Sequence, residues 1–219
     1  MNTTQRHLEE MQQRVAEQDL ATGPADRELT EMKQRLIVER ASSVLFKKGF
    51  HGTSIRDIAA ACEMSMGQLY HYISSKDDVL FLTYKQMQML WYEHLVKSGV
   101  EEIKDPEERL TKAVRLTLEF ALKHKDLFLF LYTETKYLGK RHLRVVLEMD
   151  DKTVVGFWRR LLRDVNEAKG IQGDLDFLAN LVSYLMVFLP LRGWNLKRKP
   201  DEKHLNTMTT FILEGLGIK

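Results

Sequence analysis

The sequence predicts an all-α fold. Apolar residues, leucine above all, recur along the chain with the 3.6-residue period of a helix, and no stretch shows the sustained alternation of a half-buried strand. Helix breakers are few, since the 219 residues include only four prolines and few glycine-rich runs. Three helix starts are also marked by a serine whose partner, three residues later, reaches back to form a capping box. These pairs are Ser54 with Asp57, Ser65 with Gln68, and Ser75 with Asp78.

The first segment in chain order is an N-terminal extension, residues 1–24. Its apolar pattern predicts a short amphipathic helix, which the break at Thr22-Gly23-Pro24 ends. Three arginines and six acidic residues give residues 1–29 a net charge of −3. We interpret the extension as either a frayed tail or a helix that packs on its own dimer.

A long helix and two short ones follow the extension. The long helix is expected from about Ala25 to Lys48, with Gly49 as its C-terminal stop. The first short helix starts at Ser54 and the second at Ser65, where Met64 and Leu69 occupy the two positions of a hydrophobic staple. Two short helices joined by a tight turn form a helix-turn-helix.

The remaining helices form a larger domain. They are expected at about Lys76 to Lys97, from the Asp105-Pro106 start onward, over 126–138, and at about Lys140 to Lys169, Asp174 to Leu191 and Asp201 to Leu216. The segment from Asp174 to Leu191 is apolar on more than one face, whereas a surface helix needs only one apolar stripe. It is therefore expected to be deeply buried or covered by a partner subunit.

Residues around the helix-turn-helix resemble a known family. The matching positions are Ala41, Leu45-Phe46, Gly49-Phe50, Thr53-Ser54, Ile58-Ala59, Ser65, Gly67, Leu69-Tyr70 and Ser75-Lys76. Together they resemble the signature of the TetR (tetracycline repressor-like) regulators over roughly residues 30 to 80. The turn departs from that pattern, because Cys62-Glu63 stands where the family usually has Ala-Gly. A non-glycine residue in the left-handed conformation of such a turn costs about 1 to 2 kcal/mol.

The resemblance implies three segments: the N-terminal extension (1–24), a helix-turn-helix DNA-binding domain (25–76), and a ligand-binding and dimerisation domain (77–219). It also implies a homodimeric transcriptional regulator, expected to be a repressor that a small apolar molecule releases from double-stranded operator DNA. Seven basic and four acidic residues give positions 30–76 a net charge of +3, which suits contact with phosphates.

The second helix of the motif is expected to enter the major groove of DNA. Its candidate base contacts are Met66, Gln68 and His71, and a glutamine amide can pair with adenine through two hydrogen bonds. The resemblance places Tyr70 and Lys76 against the phosphate backbone, although Tyr70 could instead be core and Lys76 merely solvated. Further candidate contacts near the two helix starts are Thr53, Ser54, Arg56 and Ser65.

Aromatic side chains in the larger domain are candidates for an effector pocket. They are Trp91, Tyr92, Phe120, Phe128, Tyr132, Trp158 and Tyr184. A large apolar effector, such as a fatty-acyl chain or a planar aromatic molecule, would suit such a lining. Aromatic residues at helical spacing are, however, also typical of an ordinary core.

Other classes of protein find little support in the sequence. Seven scattered histidines and one cysteine show no metal-ligand spacing, and no phosphate-binding glycine loop is present. We therefore expect no cofactor, no metal and no catalytic site. The apolar run from Phe177 to Leu191 is shorter than the ~18 residues of a membrane span, so a cytoplasmic location is expected. The alternative is an all-helical ligand carrier or enzyme in which the helix-turn-helix resemblance is incidental.

Overall fold

A computed structural model describes residues 24–196 and 198–218. Except for Pro24, the predicted N-terminal extension lies outside these residues. Within the described ranges the chain forms helices and turns without a β-strand, which confirms the all-α prediction. The α-helices are α1 (Pro24–Gly52), α2 (Ile55–Ala61), α3 (Met66–Tyr70), α4 (Lys76–Lys97), α5 (Pro106–Lys123), α6 (Lys125–Glu134), α7 (Lys140–Asp150), α8 (Gly156–Lys169), α9 (Leu175–Met186), α10 (Phe188–Arg192) and α11 (Glu202–Gly215).

Most helix bounds agree with the sequence pattern, and four differ from it. Helix α3, for which the sequence pattern indicates an end near Ile73, ends at Tyr70. The helix expected at 126–138 becomes α6 followed by a 3₁₀ turn over Thr135–Tyr137. The single helix expected from Lys140 to Lys169 contains a π-helical turn, Asp151–Val155, between α7 and α8.

The helix expected from Asp174 to Leu191 is also interrupted. It begins at its predicted cap, where Asp174 accepts from the backbone N–H of Phe177, but it breaks after Met186. Pro190 has no N–H to donate to the carbonyl of Met186, four residues earlier, and its ring crowds that carbonyl. Helix α9 and the segment Phe188–Asn195 consequently meet at 49°.

Contacts within the chain divide the described residues into two compact units. One contains residues 24–89 together with 130–148, and the other contains 90–129 together with 149–218. This division by contacts differs from the boundary at residue 76 that the family resemblance implies for function.

The first unit is built around the helix-turn-helix. Helices α1 to α4 contribute apolar side chains that are fully or almost fully buried: Ile37, Leu45, Ile58, Leu69 and Leu80. Helix α1 departs from helical geometry at Gly49, whose φ of 70° and ψ of 170° turn the chain toward α2. Glycine adopts this conformation without the steric penalty of a Cβ atom.

The second unit has an aromatic core closed by ion pairs. Trp158 is fully buried, and Trp91 packs on it with ring centroids 6.4 Å apart. Arg109 pairs with Asp164 at 3.0 Å, which joins α5 to α8. Arg160 also makes two hydrogen bonds to Glu101, so α8 is anchored at two points.

No single helix among the described residues has both the length and the apolar character to cross a membrane. The bent pair formed by Leu175–Met186 and Phe188–Asn195 meets those two criteria only when it is taken together.

Candidate DNA interface

The start of α2 is fixed by a complete capping box. The backbone N–H of Asp57 donates to Ser54 Oγ at 3.1 Å, and the N–H of Ser54 donates back to Asp57 Oδ2 at 2.8 Å. Lys48 Nζ adds an ion pair to Asp57 at 2.8 Å. The hydrogen bond from Lys48, together with those from Ser54, holds the pKa of the Asp57 carboxyl well below its usual range. This carboxylate therefore stays ionised and keeps the helix start in place.

The turn between α2 and α3 is a Schellman motif. The N–H of Met64 donates to the carbonyl of Ala59 at 3.0 Å, and the N–H of Glu63 donates to the carbonyl of Ala60 at 3.1 Å. Glu63 has a φ of 57°, so it adopts the left-handed conformation usually occupied by glycine. The departure from the family's Ala-Gly is therefore accommodated by strain at Glu63 within an ordinary turn. Its side chain also forms an exposed ion pair with Arg40 at 3.3 Å.

Helix α3 begins with a second capping box that occupies the side chain of Gln68. The N–H of Gln68 donates to Ser65 Oγ at 3.2 Å, and the N–H of Ser65 donates to Gln68 Oε1 at 2.9 Å. Leu69 is fully buried beneath the helix. The amide oxygen of Gln68 is thus bound to the backbone, whereas its NH₂ group can still donate outward.

Most of the predicted contact residues on α2 and α3 lie on the surface. The exposed ones are Arg56, Gln68, Tyr70 and His71, and Met66 is half-buried. Half of the Tyr70 side chain is accessible, so Tyr70 is not a core residue. The structure therefore brings these five side chains together on the two short helices of the motif.

The remaining residues predicted near the helix starts have structural partners. Thr53 is buried, and its hydroxyl donates to the carbonyl of Gly49 at 2.8 Å. The hydroxyls of Ser54 and Ser65 belong to the capping boxes described above. A side-chain contact from Thr53 to DNA is incompatible with this burial. Ser54 and Ser65 stay predicted contacts because they are exposed.

Lys76 is held more firmly than a freely solvated ammonium group. Its Nζ donates to the carbonyl of Phe50 at 2.5 Å and to that of Thr53 at 2.8 Å, and it lies 4.3 Å from the centroid of the Phe50 ring. Desolvation by burial lowers the pKa of Lys76, and the nearby Glu134 carboxylate opposes that effect. Two of the three N–H bonds of the ammonium are therefore used within the protein. A phosphate contact by the third stays a prediction.

Two residues far along the chain contact Phe50, near the end of α1. The backbone N–H of Phe50 donates to Glu134 Oε2 at 3.0 Å. The ring of Tyr137 stacks on Phe50, with centroids 5.8 Å apart and planes within 10° of parallel. The sequence carries no local signal for these contacts, because Glu134 lies 84 residues beyond Phe50.

The predicted effector-pocket residues fall into different environments. In the second unit Trp91, Tyr92 and Trp158 are buried and pack around Phe157. Phe120 and Phe128 are also buried and meet edge to face at 6.2 Å. Tyr132 and Tyr184, by contrast, are about half exposed. The structure thus groups five of the seven residues into two buried clusters, and their role in binding an effector stays a prediction.

The helix-turn-helix also matches a protein family. Residues 37–82 match the family described as bacterial regulatory proteins, tetR family. The transcriptional regulator HbdR of Aromatoleum sp. (strain CIB) is 33% identical over 128 residues, which are 58% of this chain and 55% of HbdR. YerO of Bacillus subtilis (strain 168), an uncharacterized transcriptional regulator, is 35% identical over 202 residues, which are 86% of this chain and 64% of YerO. The chain thus spans between half and two thirds of the length of these two relatives.

Solved structures share the fold over most of the chain. A bacterial regulatory protein in the tetR family from Rhodococcus RHA1 has a TM-score of 0.72 at 17% identity, covering 85% of this chain and 98% of that one. AibR in complex with isovaleryl coenzyme A and operator DNA has a TM-score of 0.67 at 20% identity, covering 85% of this chain and 100% of that one. At these identities the likeness shows the fold alone. The family match lies on the helices whose caps, turn and exposed side chains form this candidate interface, and this part of the chain, residues 37–82, is a helix-turn-helix of the tetR family of bacterial regulatory proteins.

Proposed function

We propose that this protein is a homodimeric repressor that binds operator DNA through α3 and is released by a small apolar effector. The observation that carries the proposal is the division of α3 into two faces. Leu69 is fully buried, whereas Gln68, Tyr70 and His71 are exposed on the same two turns. A short helix anchored by one apolar residue and presenting polar side chains is suited to the major groove.

Gln68 is proposed to read a base through its NH₂ group alone. Its Oε1 already accepts from Ser65, so pairing with adenine through two hydrogen bonds would break the cap of α3. The NH₂ group instead suits base edges that only accept, such as O6 and N7 of guanine or O4 of thymine. This modifies the adenine preference expected from the sequence.

Phosphate contacts are assigned to Tyr70 at the end of α3, to Arg56 on α2 and to Lys76 at the start of α4. Tyr70 is a half-exposed residue with a hydroxyl group, and Arg56 is an exposed residue with a guanidinium group. The remaining N–H of Lys76 is available at the start of α4. Such contacts fix the register of the protein on DNA without reading its sequence.

Dimerisation is proposed to use α9 and α11. Helix α9 exposes Phe177 and Tyr184, with 65% and 57% of these residues accessible, and α11 exposes Phe211 at 64%. Beside Tyr184, a surface recess of about 350 Å³ is lined by Phe188, Arg192, Asn195 and Leu196. Phe177 and Tyr184 lie seven residues apart on α9 and so share one face of the helix, and an exposed apolar face of this kind marks a protein interface. A dimer also supplies the second α3 that a two-fold symmetric operator requires.

The effector is proposed to be an acyl compound. AibR, which shares the fold, binds isovaleryl coenzyme A as well as operator DNA. In this chain the buried rings of Trp91, Tyr92 and Trp158 already contact one another or Phe157, so an acyl chain would have to displace some of them. Trp158 Nε1 is buried and donates to no atom of the described residues. This N–H is suited to an oxygen of the effector.

A DNA-binding titration over a salt series tests the proposal. The probe is a labelled fragment from upstream of the protein's own gene, and the competitor is random duplex of equal length. We expect preferential binding to the fragment, a steep fall of log affinity with log salt, and release by short-chain acyl coenzyme A esters. A carrier or enzyme with an incidental helix-turn-helix would show no salt-dependent preference for the fragment. Selective, salt-dependent binding to the fragment that acyl coenzyme A esters do not reverse would leave only the effector assignment wrong.

A further inference from the structure

Residues 49–53, called the connector below, run from the kink at Gly49 inside α1 to the residue before the cap of α2, and they are held by side chains from outside the helix-turn-helix. The conformation of Gly49 turns the following peptide away from the axis of α1. The N–H of Phe50 therefore donates to Glu134 Oε2, at 3.0 Å in a half-buried position. A backbone donor in such a position needs a partner, because leaving it unpaired is destabilising.

Lys76 holds the carbonyl side of the same connector. Its ammonium binds the carbonyls of Phe50 and Thr53, at 2.5 and 2.8 Å. Glu134 lies close enough to favour the charged form of Lys76. The Glu134 carboxylate therefore binds the N–H of Phe50, and the Lys76 ammonium binds the C=O of the same residue.

The connector leads directly into the DNA-facing helices. Thr53 is its last residue, and Ser54, the next one, is the cap of α2. The ring of Tyr137 stacks on Phe50 and also meets the His51 ring edge to face, with the two ring centroids 3.9 Å apart. A change in the Phe50 peptide would thus alter the angle at which α2 and α3 leave α1.

We propose that Glu134 is a positioning residue for DNA binding. It contacts no DNA itself; its carboxylate oxygen accepts the Phe50 N–H and so fixes the connector that orients α2 and α3. The inference rests on the proposed binding of operator DNA. The essential property of Glu134 is its ability to accept a hydrogen bond and not its charge, because the contact is to a neutral backbone group at normal hydrogen-bond distance.

Two substitutions separate the acceptor from the charge. Glu134→Gln removes the charge but keeps an oxygen that can accept from Phe50. Glu134→Met removes the same charge, has similar length and helix propensity, and offers only a weak sulfur acceptor. Any electrostatic effect on DNA affinity is therefore common to both variants. Glu148→Gln serves as a control, because Glu148 lies in the same unit but pairs with Arg144 on its own helix at 3.0 Å.

The experiment measures affinity for the upstream fragment and for random duplex with all four proteins. We expect Glu134→Gln and Glu148→Gln to keep the wild-type ratio of the two affinities within about twofold. Glu134→Met should reduce that ratio about tenfold, as expected for one lost hydrogen bond, while its affinity for random duplex matches that of Glu134→Gln. Without DNA, hydrogen exchange at the Phe50 amide should be about tenfold faster in Glu134→Met than in the other three proteins.

The outcomes distinguish the two proposals. If wild type binds the fragment selectively and Glu134→Met behaves like Glu134→Gln in both measurements, the positioning role of Glu134 is wrong and the proposed function stands. The positioning role is likewise wrong if amide exchange differs but selectivity does not, because the contact is then merely structural. If wild type shows no salt-dependent preference for the fragment, the proposed function fails and the positioning role falls with it.

Discussion

The amide oxygen of Gln68 accepts the backbone N–H of Ser65 at 2.9 Å, so a residue exposed on α3 is also part of the cap that begins this helix. Recognition and helix stability are therefore linked through one side chain. The two atoms at the end of the side chain have different tasks, since Oε1 binds the backbone and the NH₂ group is the outward donor.

Replacing Gln68 can separate these two tasks. Gln68→Glu keeps an oxygen for the Ser65 N–H but removes the NH₂ donor, whereas Gln68→Ala removes both. We expect both variants to lose about 1 to 3 kcal/mol of operator preference over random DNA, because one base contact is lost. Only Gln68→Ala should also lower the melting temperature. Retained operator preference in Gln68→Glu would show that the NH₂ group reads no base.

Lys76 is expected to affect stability as well as DNA affinity. Lys76→Met removes the donors to the Phe50 and Thr53 carbonyls, so we expect a loss of about 1 to 3 kcal/mol in the free energy of unfolding. If the third N–H meets a phosphate, affinity for both operator and random DNA should fall. The slope of log affinity against log salt should then flatten by about one for each protomer. Denaturant unfolding and a salt series measure the two effects, and an unchanged slope would confine Lys76 to the connector.

Glu63 provides a test of the strained turn. Glu63→Gly should raise the free energy of unfolding by about 1 kcal/mol, because glycine adopts a φ of 57° without a Cβ clash. The exposed ion pair to Arg40 that is lost contributes little. Arg40→Gln, measured alongside by urea unfolding, gives the size of that ion pair. A destabilised Glu63→Gly variant would mean that the turn is not strained.

Features that depend on neighbouring residues could be predicted from the sequence, and those that depend on distant residues could not. The capping boxes at Ser54 and Ser65 were predictable because both partners lie within four residues. The contact between Glu134 and Phe50 joins residues 84 positions apart, and nothing near either residue indicates it. The binding of carbonyls by Lys76 likewise depends on how α1 ends relative to α4. Aromatic content alone could not distinguish buried Trp158 from exposed Tyr184, because both have helical spacing with apolar neighbours.

Asp150 makes the stability of the second unit depend on pH. Burial, with a smaller contribution from Asp151, raises the pKa of its carboxyl from 3.8 to about 6. The folded protein therefore holds this proton more tightly than the unfolded chain, so stability falls as pH rises from about 4 to about 6. Asp150→Asn should remove this penalty, stabilising the protein by up to about 3 kcal/mol at pH 7.5 and by almost nothing near pH 4. Thermal unfolding of both proteins across this range checks the prediction, which an equal gain at both pH values would contradict.

The exposed aromatic residue Phe177 on α9 provides the test of dimerisation. With 65% of the residue accessible, Phe177 is placed to be buried by a second copy of the chain. Phe177→Glu would force a charge into that interface without a partner, so we expect monomers in sedimentation velocity. A monomer carries one α3 and reads one half-site, so operator affinity should fall about a hundredfold or more while the affinity for an isolated half-site stays unchanged. Leu147→Glu is the matched control, because Leu147 is 58% accessible but lies on α7. Phe177→Glu protein that sediments as an unchanged dimer, or a Leu147→Glu variant that becomes monomeric, would show that α9 and α11 are not the interface.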